Sequence, residues 1–196
     1  VEHALCPLDS RTSLRENLRH VSEYRYTDAD GRSQSARVVV HCPGGLSPGD
    51  EFYLWGLLAL TFAQPVPRIE FQATPHFCLR KLGLISPDSK GGKSYRLFRE
   101  ALRRLSATRY QNERFYDPIR QEYRAVSFGF FSYSLPLDLD SPRAWRIVWD
   151  PLFFEYCSAA ASQLSFDLET YRRLDHASRR LFLLLSKVFW RRPLSP

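Results

Sequence analysis

The chain has 196 residues, 44% of them hydrophobic and 14% aromatic, which is enough apolar material to bury a core and excludes a disordered tail. Its longest apolar stretch is shorter than the roughly 18 residues that a membrane-spanning helix needs, and its N-terminus lacks a signal-peptide pattern, so we expect a cytoplasmic protein. The formal net charge is +7, and the positions of the basic residues, given below, indicate an anionic partner.

The first 45 residues predict a polar arm followed by a β-hairpin. Residues 1–20 are polar and show no periodicity, whereas 21–26 and 35–42 have the pattern of strands. Turn-forming residues at 28–31 connect the two strands, which is typical of a hairpin. A Cys-Pro-Gly-Gly sequence at 42–45 then interrupts the regular structure.

Three helices are predicted next. The first begins at Ser47, where a capping hydroxyl is followed by a proline and two acids, and it ends at about residue 63. The second spans 74–82 and the third spans 93–106. A short extended stretch at 68–73 separates the first helix from the second.

Extended stretches follow the third helix directly, and further helices end the chain. The order helix–helix–helix–strand–turn–strand predicts an α+β fold, a winged helix-turn-helix with an additional N-terminal β-hairpin and C-terminal helices. The extended stretches are 108–116, 123–137 and 144–149, the hairpin turn is 117–122, and the later helices begin at Asp150, Asp167 and His176.

The basic residues are concentrated between Lys90 and Arg124, where ten Lys and Arg accompany four acids, a local net charge of +6. The third helix places its apolar residues on one face and its basic residues on the opposite face. One helix fits the major groove of B-DNA, so this face is a candidate DNA contact, the alternative being an ordinary solvated face. The candidates from the helix and the turn before it are Lys90, Lys93, Ser94, Arg96, Arg99, Arg103 and Arg104.

The hairpin after the third helix adds Arg114, Arg120 and Arg124 to the candidate DNA-contacting residues. In a winged helix, such a hairpin is the wing, and its arginines would contact phosphates. The alternative is a solvated loop without a DNA contact.

Four blocks of the sequence resemble bacterial plasmid replication initiators of the initiator A, or Rep, group. They are LFREALRRL (97–105), AVSFGFF (125–131), IVWDPLFF (147–154) and DHASRRLFLLLSK (175–187), within a matching region of about 50–192. The resemblance implies a winged-helix fold, binding of double-stranded DNA at origin repeats, recruitment of host replication proteins, and association with nucleoid or plasmid DNA.

Initiators of this kind usually carry two winged-helix domains, and this chain is too short for both. It also begins at Val1 and contains no methionine, so we expect an N-terminal fragment. The expected division is an arm and hairpin at 1–45, a winged-helix domain at 46–174, and a helix at 175–196 that leads toward a second winged helix. In related initiators, the first domain often mediates dimerisation or contacts mainly phosphates.

The last predicted helix has a broad apolar side that must pack within the chain or against a second copy of it. A homodimer interface is the functional interpretation, and packing within the chain is the alternative. The candidate interface residues are Leu181, Leu184, Leu185, Val188 and Phe189.

No enzymatic pattern is convincing, so we expect a binding protein without catalytic residues, metal or cofactor. His41, Cys42, His76 and Cys78 do not have the spacing of a zinc site, and the four cysteines are expected to be reduced and mostly buried. The sequence Gly-Gly-Lys-Ser at 91–94 lacks the upstream glycine and strand of a nucleotide-binding loop. The alternatives to an initiator module are a winged-helix transcriptional repressor and a dimerisation or protein-interaction module without sequence-specific DNA binding.

Overall fold

The computed structural model describes residues 4–28, 30–86, 92–138, 141, 143–161 and 166–189 and confirms a mixed α+β fold. The described helices are α1 (Ser10–Ser13), α2 (Pro48–Phe62), α3 (Pro75–Lys81), α4 (Gly92–Ser106), α5 (Pro151–Ala161), α6 (Leu168–Arg173) and α7 (His176–Phe189). The described strands are β1 (Leu18–Thr27), β2 (Ser33–Cys42), β3 (Glu70–Ala73), β4 (Arg109–Asp117), β5 (Glu122–Gly129), β6 (Phe131–Ser134) and β7 (Trp145–Trp149).

The first sheet has four antiparallel strands in the order β1-β2-β4-β5. Strands β1 and β2 form the predicted N-terminal hairpin, with Leu18 opposite Cys42 and Thr27 opposite Ser33. Strand β2 also pairs with β4, from Val38 opposite Asn112 to His41 opposite Arg109. The hairpin after α4 therefore extends the sheet of the N-terminal hairpin, a pairing that the expected division after residue 45 did not include.

The second sheet has three antiparallel strands in the order β3-β7-β6. Strand β3, which lies between α2 and α3 in sequence, pairs with β7, and β7 pairs with β6. The single extended stretch predicted at 123–137 is thus two strands in two different sheets. The buried Phe130 lies at the crossing, where its carbonyl accepts a hydrogen bond from the Asp150 N–H at 2.8 Å.

The predicted starts of α2, α3 and α6 are confirmed by their caps. At the start of α2, the Asp50 N–H donates to Ser47 Oγ (3.2 Å), and the Ser47 N–H donates to Asp50 Oδ2 (2.8 Å), a reciprocal capping box. The Phe77 N–H donates to Thr74 Oγ1 at 3.1 Å at the start of α3, and Asp167 caps α6 in the same way. These bonds satisfy N–H groups that have no partner within the helix.

The core lies around α2, which is buried on most of its surface and contacts both sheets through one hydrophobic cluster. On α4, Phe98 stacks on Trp145 of β7 with ring centroids 5.3 Å apart. The Trp149 indole N–H donates to Thr61 Oγ1 at 3.1 Å, which satisfies a buried polar group on each element. A side chain at Gly56 would collide with Leu82, so glycine allows α2 to approach the end of α3 closely.

Candidate nucleic-acid interface

Helix α4 presents an exposed basic face because its opposite face is in the core. Most of its apolar side chains, including Phe98 and Leu102, are buried, whereas Leu97 is 42% exposed. A turn of 100° per residue places the basic side chains away from the buried ones. Three arginines lie within an arc of about 60°. Among the residues that the structure describes, no carboxylate pairs with them or with the exposed Lys93. The three are Arg96, Arg99 and Arg103, all exposed.

The candidate residues at the start of α4 and in the turn before it differ in what the structure describes. Ser94 is half-buried, and Lys90 lies outside the described residues. Tyr95 anchors this end of the helix, because its hydroxyl lies 3.1 Å from Nδ1 of His76 on α3. The two helices are therefore joined by a polar contact as well as by the core.

Arg104 lies on the flank of α4 and is engaged within the protein. Its Nε and Nη2 donate to the two carboxylate oxygens of Asp50 at 2.9 and 2.8 Å. Only 15% of the Arg104 side chain and 2% of the Asp50 side chain are exposed. The hydrogen bonds that Arg104 donates to Asp50 raise the pKa of its guanidinium further above its ordinary value. This bidentate pair fixes α4 to the start of α2, and it occupies the donors that a phosphate would need.

Arg114, on β4, lies between two aromatic rings. Its guanidinium carbon is 3.6 Å from the centroid of Tyr26 and 4.0 Å from that of Tyr123. Its Nε is buried and has no hydrogen-bond partner in the described part of the chain. Tyr24 fixes the backbone here, because its hydroxyl donates to the Arg114 carbonyl at 2.6 Å. Arg114 is thus a packed residue of the sheet.

Arg120 and Arg124, at the turn of the same hairpin, have acidic partners. Arg120 Nη1 lies 3.0 Å from a buried oxygen of Asp117 and 3.3 Å from Glu155, and Arg124 lies 3.5 Å from Glu122. Burial acts to raise the pKa of Asp117. Hydrogen bonds from the backbone N–H groups of Arg120 and Ile119, and from the Arg120 side chain, nevertheless hold it below its ordinary value. The carboxylate therefore remains an anion that Arg120 neutralises.

The start of α7 is fixed to the core by two arginines. Arg180 pairs with the buried Glu51 of α2 at 2.9 Å, and Glu51 also accepts a hydrogen bond from the Leu5 N–H at 3.1 Å. Arg179 lies over the Phe52 ring, 4.3 Å from its centroid. These contacts belong to packing within the chain, which was the alternative to a dimer interface.

The predicted interface residues of α7 lie beside these contacts. Leu181 is 54% exposed, and Leu184 and Leu185 are each 42% exposed. The side chains of Val188 and Phe189 lie outside the described residues. Phe182 and Leu183 pack against the core, so α7 is attached by one side and leaves three leucines uncovered.

The cysteines and histidines considered for zinc have other contacts. Cys42 donates to the Gly45 carbonyl at 2.8 Å, and burial raises the pKa of Cys78 to about 12. In the described ranges, no three histidine, cysteine or acidic side chains are grouped as a metal site would require. Within the same ranges, no helix is both long enough and apolar enough to cross a membrane.

Neither sequence comparison identifies a relative: no protein-family model matches the chain, and no curated protein sequence matches it. The resemblance to the initiator A group therefore stays a prediction. A structural comparison does find a match, the crystal structure of selenomethionine derivatives of domains 2 and 3 of RctB. The TM-score is 0.56 at 18% sequence identity, and the match covers 89% of this chain and 64% of that one. The chain thus shares its fold with part of RctB and spans less than two thirds of that structure.

Proposed function

We propose that this chain is a DNA-binding module of a replication initiator, and that it acts by binding and assembly and not by catalysis. The observation that carries the proposal is the exposed arginine face of α4, which has no acidic partner in the described ranges and whose opposite face is packed in the core. A core-packed helix with exposed arginines along one side suits the major groove, where arginine contacts phosphates and guanine edges.

The arrangement of elements supports a winged helix. In such domains, a short strand between the first two helices pairs with the second strand of a hairpin that follows the third helix. Here β3 pairs with β7 and β7 pairs with β6, and α2, α3 and α4 are the three helices. In this assignment α4 is the recognition helix, and the wing is the β6–β7 connection. The hairpin β4–β5 is then an insertion and not the wing.

The match to RctB supports the replication role, because RctB is a replication initiator. The similarity is one of fold. Double-stranded origin repeats and host replication proteins are therefore proposed partners, and a transcriptional repressor with the same fold would differ only in the DNA that it recognises.

The uncovered leucines of α7 support a homodimer as an additional property. Leu181, Leu184 and Leu185 form an apolar strip that a second copy would bury. Sedimentation equilibrium of the wild type and a Leu181→Ser/Leu184→Ser variant tests this. Monomers for both proteins at high concentration would rule out the dimer.

The DNA proposal is tested by titrating a 24-base-pair duplex with the 196-residue chain between 50 and 200 mM salt. We compare the wild type with Arg96→Gln/Arg99→Gln/Arg103→Gln, and use Arg25→Gln/Arg32→Gln/Arg68→Gln, three exposed arginines elsewhere, as a control of equal charge. Each lost phosphate contact lowers the log–log salt slope by about 0.9, so the α4 variant should lose up to about 2.7. Wild-type binding by the α4 variant at every salt concentration would refute the proposal.

A further inference from the structure

Two arginines and a histidine form a row across the first sheet. Arg19 on β1 is directly opposite His41 on β2, and His41 is directly opposite Arg109 on β4. Directly opposite residues of antiparallel strands point to the same face, with Cβ atoms about 4.5–5.5 Å apart. All three side chains are exposed. We call Arg19, His41 and Arg109 the basic row.

The basic row lies on the outer face of the sheet, because alternate residues point inward. Leu18, Val40 and Cys42, the neighbours along β1 and β2, are buried in the core. On the outer face, the adjacent row consists of Val21, Val39 and Gln111, which carry no charge.

The row has no acidic partner among the residues that the structure describes. Arg109 Nε donates to Ser127 Oγ on β5 at 3.2 Å, which orients the guanidinium and leaves its terminal nitrogens available. His41 can donate a hydrogen bond in either protonation state. The two arginines lie on either side of His41, two strands apart, and are not directly opposite each other.

At the opposite end of the same face, the positive charge of the arginine is neutralised by acidic residues. There Arg37 pairs with Glu113 at 3.0 Å, and Glu113 also accepts a hydrogen bond from the Arg37 N–H at 2.9 Å. Glu23 is directly opposite Arg37 on β1. One end of the face therefore carries compensated charge and the other carries uncompensated positive charge.

We propose that the basic row binds backbone phosphates of duplex DNA, as a second contact surface in addition to α4. Neighbouring strands are about 4.8 Å apart, so the row spans about 10 Å and can face at least two successive phosphates. The choice of duplex DNA as the ligand rests on the proposed function, whereas the existence of a polyanion site rests on the row alone.

The row has a fixed position relative to α4. Arg109 begins β4 three residues after the last residue of the helix. The Thr108 N–H donates to the Leu105 carbonyl at 3.1 Å, and the Thr108 hydroxyl donates to the Arg104 carbonyl at 2.8 Å. Because this connection is hydrogen-bonded and Thr108 is buried, the start of β4, and Arg109 with it, is fixed to the end of α4.

The test compares Arg19→Gln/Arg109→Gln with Arg25→Gln/Arg32→Gln, which removes the same charge from exposed positions elsewhere on the β1–β2 hairpin. Binding of a mixed-sequence 24-base-pair duplex is measured from 50 to 200 mM salt. Loss of two phosphate contacts should lower the slope of log affinity against log salt concentration by about 1.8. Across this salt range, the affinity of the wild type should therefore fall about tenfold more than that of the row variant. The control should keep the wild-type slope, and Arg19→Lys/Arg109→Lys should keep most of it.

The outcomes separate this inference from the proposed function. If the row variant keeps the wild-type slope while the α4 variant loses it, the row is not a DNA contact and the proposed function stands. If the row variant has a lower salt slope while the α4 variant binds as the wild type does, the basic row is confirmed as a DNA contact and α4 is not the interface. Binding of phosphatidylserine vesicles without binding of the duplex would overturn the assignment to DNA. Thermal unfolding followed by circular dichroism should show that the row variant is folded and at least as stable as the wild type.

Discussion

Helix α4 and the β4–β5 hairpin are both rich in arginine, and the sequence predicted the same DNA-contacting role for both. The structure places their arginines in different environments. Arg96 and Arg99 on α4 are exposed and have no acidic partner in the described part of the chain. On the hairpin, Arg114 is packed between tyrosine rings and Arg120 pairs with the buried Asp117.

The difference shows that tertiary contacts decide whether an arginine is available to a ligand. An amphipathic helix on a core always leaves one face to solvent, so the α4 pattern alone identifies its exposed residues. A strand pattern gives only the alternation of faces, and the β4 strand has an irregular register between Asn112 and Phe115. Arg114 lies within that irregular segment. Arg104 is the exception on α4, because it behaves like the hairpin arginines.

The largest loss of stability is expected for Arg104→Leu, which tests whether Arg104 acts in packing and not in DNA binding. The substitution leaves the Asp50 carboxylate buried without its partner, and breaking a buried ion pair costs about 3 kcal/mol of unfolding free energy. Urea unfolding at pH 7 measures this loss. The salt slope of DNA binding should stay at the wild-type value, because the guanidinium is already occupied.

A double-mutant cycle with Asp50→Asn supplies the control for Arg104. The second substitution removes the stranded charge, so the double variant should recover part of the stability that Arg104→Leu loses. A stability change below about 0.5 kcal/mol for Arg104→Leu, together with a lower salt slope, would place Arg104 with the DNA-contacting residues of α4.

Local signals predicted the helices from α2 onward and the N-terminal hairpin, because their causes are local. They missed α1 and the start of β1 at Leu18, which fall in the stretch 1–20 that was expected to be an irregular arm. The Ser47 and Thr74 caps are read from a few neighbouring residues, and the structure forms both. The apolar and basic faces of α4 follow in the same way from its periodicity. The start of the third helix differs by only one residue from the prediction, which gave 93.

The contacts that could not be predicted are long-range. The partner of Arg104 is 54 residues away, and nothing near Arg104 in the sequence points to Asp50. The pairing of β2 with β4 brings Arg109 beside His41, and strand periodicity predicts a face but not a partner strand. The basic row could be recognised only once that register was known.

A smaller effect is expected for Arg114→Leu on the hairpin. The variant loses two cation–π contacts, with Tyr26 and Tyr123, which should lower the unfolding free energy by about 1–2 kcal/mol in urea. DNA binding should be unchanged at every salt concentration. Arg114→Lys is the control, since it keeps the charge and loses the planar stacking. Wild-type stability for Arg114→Leu would contradict a packing role for this residue.

The smallest change in stability is expected for Arg124→Gln. This variant is also the sharpest test of the difference between α4 and the β4–β5 hairpin. Arg124 is 46% exposed, and its partner Glu122 is 57% exposed at 3.5 Å, so the pair should contribute less than about 0.5 kcal/mol to stability. Of the three hairpin arginines that the sequence predicted to contact DNA, Arg124 therefore has the environment most like that of the α4 face. If the turn of the hairpin does not contact DNA, the salt slope of Arg124→Gln should equal that of the wild type. A decrease of about 0.9 would mean that Arg124 contacts a phosphate. The hairpin would then contact DNA at its turn as well as at Arg109 of the basic row, and Arg114, which lies between them in the sequence, would remain a packing residue.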